Sequence, residues 1–334
     1  MSELSKYQPV ESGNPAYSMA CHSQLAYSGH RYVADKLKVH GFDRVYLFTY
    51  QGSNTYLAGY PMNKGAHGWI LAFRGTENDY KDILHDITLF KRTADYDHSY
   101  RVHGGFLTAL QHVWGSRGRQ LPAKPDDIYR RIGPEGISEI LIREVHPKDS
   151  LWITGHSLGG ALAQLAAYYV PRDLNLPITG LYTFGAPRLL DPQMALNLKK
   201  QKFFPVYRYV HAADIVPRVP PWFLGFRHGA QEIYISKKGK IFQKPGILFK
   251  FFDIWYRQFL LIFLVAAVVF ITSTYANWFD YWVWNSMIAL TAGLLSWLML
   301  PRLFKLIPFP ILRGLRFRAF TDHGIQKYVN ATKG

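Results

Sequence analysis

Cysteine is nearly absent. The 334-residue chain has one, Cys21. A single cysteine closes no intramolecular disulfide, so nothing here calls for an oxidising compartment. It sits in a small apolar stretch, Ser18 to Tyr27, and reads as a core residue rather than a catalytic thiol. The histidines lack ligand spacing, so no metal and no other cofactor is expected. The first residues, Met1 to Pro15, are polar, include Glu3 and Glu11, and contain no apolar run; no ordinary secretory signal is visible. Acidic residues are the scarcer charge: 23 against 39 lysines and arginines, a formal net charge of +16. So basic a chain calls for an anionic partner. No nucleic-acid motif accompanies the charge, so the expected partner is an anionic lipid surface and not a nucleic acid. The oligomeric state is not legible.

Short apolar runs alternate with helical patterns along most of the chain. A helix is expected over Asn14 to Val39. Strands are expected at Arg44 to Tyr50, Thr55 to Tyr60, Gly68 to Phe73, Leu151 to Thr154, Ile178 to Phe184 and Val206 to Val210. Helices are expected at Gly105 to Trp114 and Leu158 to Val170. Strands alternating with helices predict an α/β domain with a mostly parallel sheet covered on both faces. The region from about Lys244 to Arg318 differs. Residues 258–279 and 281–301 carry no charge, and a membrane-crossing helix needs about 20 apolar residues. Aromatic residues crowd the connection between the two runs: Trp278, Phe279, Tyr281, Trp282 and Trp284. An inserted hydrophobic two-helix hairpin that crosses a membrane is therefore expected. Lysines and arginines cluster at its feet, from Lys237 to Arg257 and from Arg302 to Arg318, while the tip carries only Asp280. The positive-inside rule then places the feet and the catalytic domain on the cytoplasmic side. The expected organisation is residues 1–250 as the first part of the α/β domain, 251–312 as the hairpin, and 313–334 as the returning C-terminal part.

Chemistry concentrates at Gly155-His156-Ser157-Leu158-Gly159, a G-x-S-x-G element between an expected strand and an alanine-rich helix. Strand, sharp turn and helix are what a nucleophile elbow requires. The turn lifts the Ser157 hydroxyl above the sheet, and the helix aims its first amides at a developing oxyanion. A serine hydroxyl needs a base, and that base is usually a histidine steadied by a carboxylate. In chain order the carboxylate follows the serine and the histidine comes last. Asp214 lies just after the strand Val206 to Val210, where catalytic loops of open α/β sheets emerge. Asp191 is its rival, but it stands before Pro192 and reads better as a helix N-cap. His323 is the best candidate base; His211 and His228 are the alternatives. Thr76, after the strand Gly68 to Phe73, and Leu158 are the candidate oxyanion-hole donors through their amides.

Taken together, these residues resemble the class 3 lipases, the fungal-lipase-like branch of the α/β-hydrolases. Ala72-Phe73-Arg74-Gly75-Thr76 resembles the family's oxyanion strand and turn, and Val102-His103-Gly104-Gly105-Phe106 its His-x-Gly-Phe helix entry. Thr154 to Gly160 is similar to its nucleophile elbow, and Phe184-Gly185-Ala186-Pro187-Arg188 to the strand end that follows. Asp214-Ile215-Val216-Pro217 resembles its acid motif, and Asp322-His323 with Tyr328 its histidine motif. The resemblance implies an α/β-hydrolase fold and a serine carboxylic ester hydrolase, a lipase or phospholipase acting on glycerolipids through an acyl-enzyme. It also implies a lid after the oxyanion turn, for which Ile87 to Tyr100 is the candidate. The apolar runs between Asp214 and His323 depart from the family pattern. An acyltransferase on the same fold and a catalytically silent membrane scaffold are the competing expectations.

Overall fold

A computed structural model describes residues 6–9, 13–50, 53–75, 91–94, 97–115, 136–201, 204–254, 263, 266–267, 270 and 322–333. The chain divides into two compact units. One comprises Met1–Lys244 with Asp322–Gly334, the other Pro245–Thr321.

The first unit is built on an eight-stranded sheet. In chain order its strands are β1 (Arg44–Tyr50), β2 (Ser53–Pro61), β3 (His67–Phe73), β6 (Ser150–His156), β7 (Gly180–Phe184), β8 (Val206–His211), β9 (Glu232–Ile235) and β10 (Ile241–Gln243). They lie in that spatial order. β1 with β2 and β2 with β3 pair antiparallel, β3 through β9 pair in parallel, and β10 returns antiparallel to β9. This is a mostly parallel α/β sheet, and the chain has the α/β-hydrolase fold.

The central strands are apolar on both faces because both faces are covered. On β3, Trp69, Leu71 and Phe73 belong to one core and Ile70 and Ala72 to the other. On β6, Leu151 and Ile153 face the first core and Trp152 the second. That alternation is the two-residue period of a strand. The first core is closed by α3 (Gly104–Trp114), α4 (Ile137–Glu144) and α5 (Leu158–Asp173). The second is closed by α1 (Pro15–Leu25), α2 (His30–Val39) and the C-terminal α7 (Ile325–Thr332). α1 is capped by Asn14, whose side chain accepts from the Tyr17 amide at 3.1 Å, with Pro15 in the first turn. The single helix expected over Asn14 to Val39 is two helices, because Ser28 and Gly29 interrupt it and Gly29 adopts extended backbone as the cap of α2. α6 (Pro192–Gln201) follows Asp191, whose carboxylate accepts from the Met194 amide at 2.8 Å and the Arg101 amide at 2.6 Å. Asp191 is thus a helix cap.

A separate antiparallel pair, β4 (Lys91–Ala94) and β5 (Asp97–His103), leads into α3. It occupies part of the lid candidate; Ile87, Leu89 and Phe90 lie outside the described residues.

In the second unit, residues 247–254 are helical and expose Ile247, Leu248 and Phe252. Most of both uncharged runs lies outside the described residues. The expected multi-pass membrane arrangement, with a cytoplasmic catalytic domain, is corrected here. No helix among the described residues is long and apolar enough to cross a membrane. A span needs about 20 apolar residues in one helix. The helix α5 reaches only 16 residues, and its apolar residues pack against the sheet.

Candidate active site

Ser157 stands between β6 and α5, and its backbone is strained: φ is 58° and ψ −130°. A non-glycine residue held there costs on the order of 1–3 kcal/mol, which the surrounding packing must offset. The packing is tight. A Cβ on Gly155 would lie 2.2 Å from the Gly159 carbonyl oxygen, so only glycine lets the strand and helix approach this closely. The Ser157 amide is anchored to the Phe184 carbonyl at 2.9 Å. A serine in the cap position of a helix ordinarily bonds back to the first-turn amides. Ser157 does not, and its buried Oγ has no hydrogen-bond partner among the described residues. The hydroxyl is therefore uncommitted, at the positive end of the α5 dipole.

Asp214 lies in the loop after β8 and is fully buried. A buried carboxylate needs donors, and it has three. The Val216 amide donates to Oδ1 at 2.9 Å, the Tyr328 hydroxyl to Oδ2 at 2.5 Å, and His323 Nδ1 reaches Oδ2 at 2.9 Å and Oδ1 at 3.0 Å. Burial, and then the Asp214 carboxylate beside it, push the Tyr328 phenol well above its ordinary range. Its proton stays in place to be donated. The same hydroxyl accepts from the His211 amide at 3.1 Å, tying the C-terminal helix to β8.

His323 uses Nδ1 on Asp214, and its Nε2 is buried with no hydrogen-bond partner among the described residues. Its ring stacks on His156 with centroids 4.5 Å apart. His156 Nε2 faces the His323 carbonyl at 2.6 Å and Nδ1 faces the Tyr27 hydroxyl at 2.8 Å. A carbonyl only accepts, so His156 carries its proton on Nε2 and accepts from Tyr27 on Nδ1. Burial, and secondarily the neighbouring His323, hold His156 well below the ordinary histidine range, so it is neutral. His156 thus fixes the backbone and one face of His323 without competing for Ser157.

Gly185, at φ +61°, closes the pocket from the β7 side. A Cβ there would lie 2.7 Å from Asp214 Oδ2 and 3.0 Å from the His323 ring. At Gly75, on the loop after β3, an added Cβ would lie 3.0 Å from that of Ser157.

Of the residues expected from sequence, Ser157, Leu158, Asp214 and His323 therefore converge, and Asp214 and His323 touch. No hydrogen bond joins Ser157 to His323; Ser157 Oγ and His323 Nε2 are both buried without a hydrogen-bond partner among the described residues. Such contacts are often long until a reactant is bound. Thr76 lies outside the described residues, directly after the Gly75 turn. Of the rival histidines, His228 bonds the Pro217 carbonyl at 2.8 Å, and His211 Nδ1 is 4.0 Å from Asp322. Sequence reasoning missed Tyr27 and His156, whose bonds cross distances in the chain that leave no local pattern. Among the described residues no group of three or more His, Cys, Asp or Glu side chains could hold a metal ion.

Residues 70–224 match the model of the class 3 lipases. The chain is 30% identical over 186 residues to secreted mono- and diacylglycerol lipase 1 of Fusarium solani, covering 55% of this chain and 49% of that protein. It is 32% identical over 171 residues to a lipase of Rhizopus niveus, covering 50% of this chain and 38% of that one. The chain thus spans half or less of the length of these relatives. Its structure is also similar to a Rhizomucor miehei lipase in complex with its propeptide, with a TM-score of 0.48, 23% identity and coverage of 72% and 69%. Over the strands, elbow and acid loop that build this site, the chain is therefore similar to the class 3 lipases.

Proposed function

We propose that the protein is a serine lipase that hydrolyses carboxylic ester bonds of lipids through an acyl-enzyme. The observation that carries this reading is the pairing of His323 Nδ1 with the buried Asp214 carboxylate at 2.9 Å, which leaves Nε2, like the hydroxyl of Ser157 at its strained elbow, without a partner among the described residues. Ser157 is the nucleophile, His323 the general base and then acid, and Asp214 the group that orients the imidazole and offsets its charge. Nε2 takes the Ser157 proton as Oγ attacks the ester carbonyl, then gives it to the departing alkoxide. Water, deprotonated in turn by His323, releases the acid. The Leu158 amide at the start of α5 is one donor to the oxyanion, and the Thr76 amide after the Gly75 turn is the second. Each such donor is worth about 2.7–4 kcal/mol of transition-state stabilisation. The name of the Fusarium relative, a mono- and diacylglycerol lipase, supports acylglycerols as the substrate class. Residues 245–321 act as an insertion from which the chain returns to deliver His323.

The test is mass spectrometry of the products released from a mixed lipid extract. Free fatty acid and deacylated lipid should appear with the wild-type chain and be absent with Ser157→Ala. An active, folded Ser157→Ala chain would remove the serine from the mechanism. Lysophospholipid among the products would extend the activity to phospholipids.

A further inference from the structure

The acid loop continues into an apolar projection ringed by cations. Beyond Asp214, the Val216–Arg218 turn and three residues ending in Pro220-Pro221 lead to a second turn, Trp222–Leu224, closed by Gly225 in left-handed backbone. The two prolines restrict the backbone, so the turn is held out rather than free to fold back. Trp222 is 62% exposed, Phe223 70% and Leu224 39%. Three adjacent large apolar residues at the surface are costly to leave in water without a partner.

Arg188, Arg218 and Arg227 surround this turn, and each is held by neutral carbonyls. Arg188 donates to the carbonyls of Arg218 and of Pro220, the latter at 3.0 Å. Arg218 donates to those of Asp214 and Ala212, each at 3.2 Å. Arg227 donates to those of Trp222 and of Phe226, the latter at 3.0 Å, and its guanidinium lies 5.8 Å from the Trp222 ring centroid. Carbonyls orient a guanidinium without cancelling its charge. Among the described residues the nearby carboxylate of Glu232 lies 3.4 Å from Arg208 and also acts on Arg188 through its charge, offsetting part of the positive cluster.

We propose that the 218–227 loop is a docking surface for lipid bilayers bearing anionic headgroups: Trp222 and Phe223 enter the headgroup boundary while Arg188, Arg218 and Arg227 meet phosphate and carboxylate oxygens. Tryptophan favours that boundary, and arginine binds such oxygens in pairs; here the arginines flank the turn that carries Trp222. The loop is continuous with Asp214, so docking presents the active site to the lipid. The inference deepens the lipase reading, yet it does not depend on turnover.

The test uses the full chain carrying Ser157→Ala, so that vesicles stay intact, sedimented with phosphatidylcholine vesicles with and without phosphatidylserine. Binding should be tighter with phosphatidylserine and weaken as salt rises. Phe223→Asp should weaken binding by about tenfold or more. Arg227→Gln should lower the preference for phosphatidylserine by about fivefold and leave binding to phosphatidylcholine alone nearly unchanged. As a check on folding, Phe223→Asp in the otherwise wild-type chain should hydrolyse a soluble short-chain ester at the normal rate. Equal binding to both vesicles, or binding indifferent to both substitutions, overturns the proposal. So does a chain whose oligomeric state, rather than vesicle affinity, responds to Phe223→Asp. Lipid binding of the expected pattern by a wild-type chain that hydrolyses no ester would keep this surface and refute the lipase.

Discussion

Replacing His103 by phenylalanine removes a buried imidazole that makes no side-chain hydrogen bond among the described residues. The ring is fully buried, stacked on Phe106 at 4.3 Å and 5.4 Å from Phe226, while its backbone amide is tied to the Leu189 carbonyl at 2.8 Å. The substitution leaves that backbone bond and fills an aromatic slot with an aromatic ring. Burial lowers the imidazole from its ordinary 6.5 to about 4. The unfolded chain therefore takes up this proton first as pH falls. The stability gained by keeping His103 neutral is intact above about pH 6.5, declines below it, and is fully lost below about pH 4. At about pH 5 the unfolded state holds nearly a full proton and the folded state about a tenth of one, a difference of about 2 kcal/mol. The assay is urea unfolding of wild type and His103→Phe at about pH 7.5 and pH 5. The variant should match or exceed wild type at the higher pH and lose about 2 kcal/mol less on acidification. His22, lowered to about 3 by burial, and His156 remain to destabilise both chains in acid. Parallel losses in the two chains would refute the reasoning.

Asp214→Asn keeps the shape of the dyad but allows the imidazole its wrong tautomer. Turnover should fall on the order of 10⁴-fold with the fold intact, read by ester hydrolysis beside circular dichroism; wild-type turnover would remove Asp214 from the mechanism. Gly185→Ala places a methyl group 2.7 Å from Asp214 Oδ2 at a φ of +61°. It should cost about 1–2 kcal/mol in backbone strain and reduce kcat far more than that loss of stability explains; unchanged kcat would contradict the packing.

The parts legible in sequence were those with local grammar. The strand from Leu151, the elbow at Ser157 and the alanine-rich helix after it announce themselves within a few residues, and Asp191 could be read as a cap from Pro192 alone. The family motifs carried Tyr328 and His323 as well. The Tyr27–His156–His323 chain could not be read, because contacts between residues far apart in the chain leave no periodicity. The break between α1 and α2 was missed although Ser28 and Gly29 stood in plain view, since apolar spacing on both sides suggested one helix. The apolar runs after Arg257 were read by length and charge alone, and length alone does not establish that a segment crosses a bilayer.

Covalent capture of Ser157 tests the central claim most directly. A fluorophosphonate should modify the wild-type chain once, and peptide mass spectrometry should place the adduct on Ser157. Ser157→Ala should not react, and Asp214→Asn should react far more slowly. A folded wild-type chain that stays unlabelled, or carries its adduct on another residue, would contradict the account.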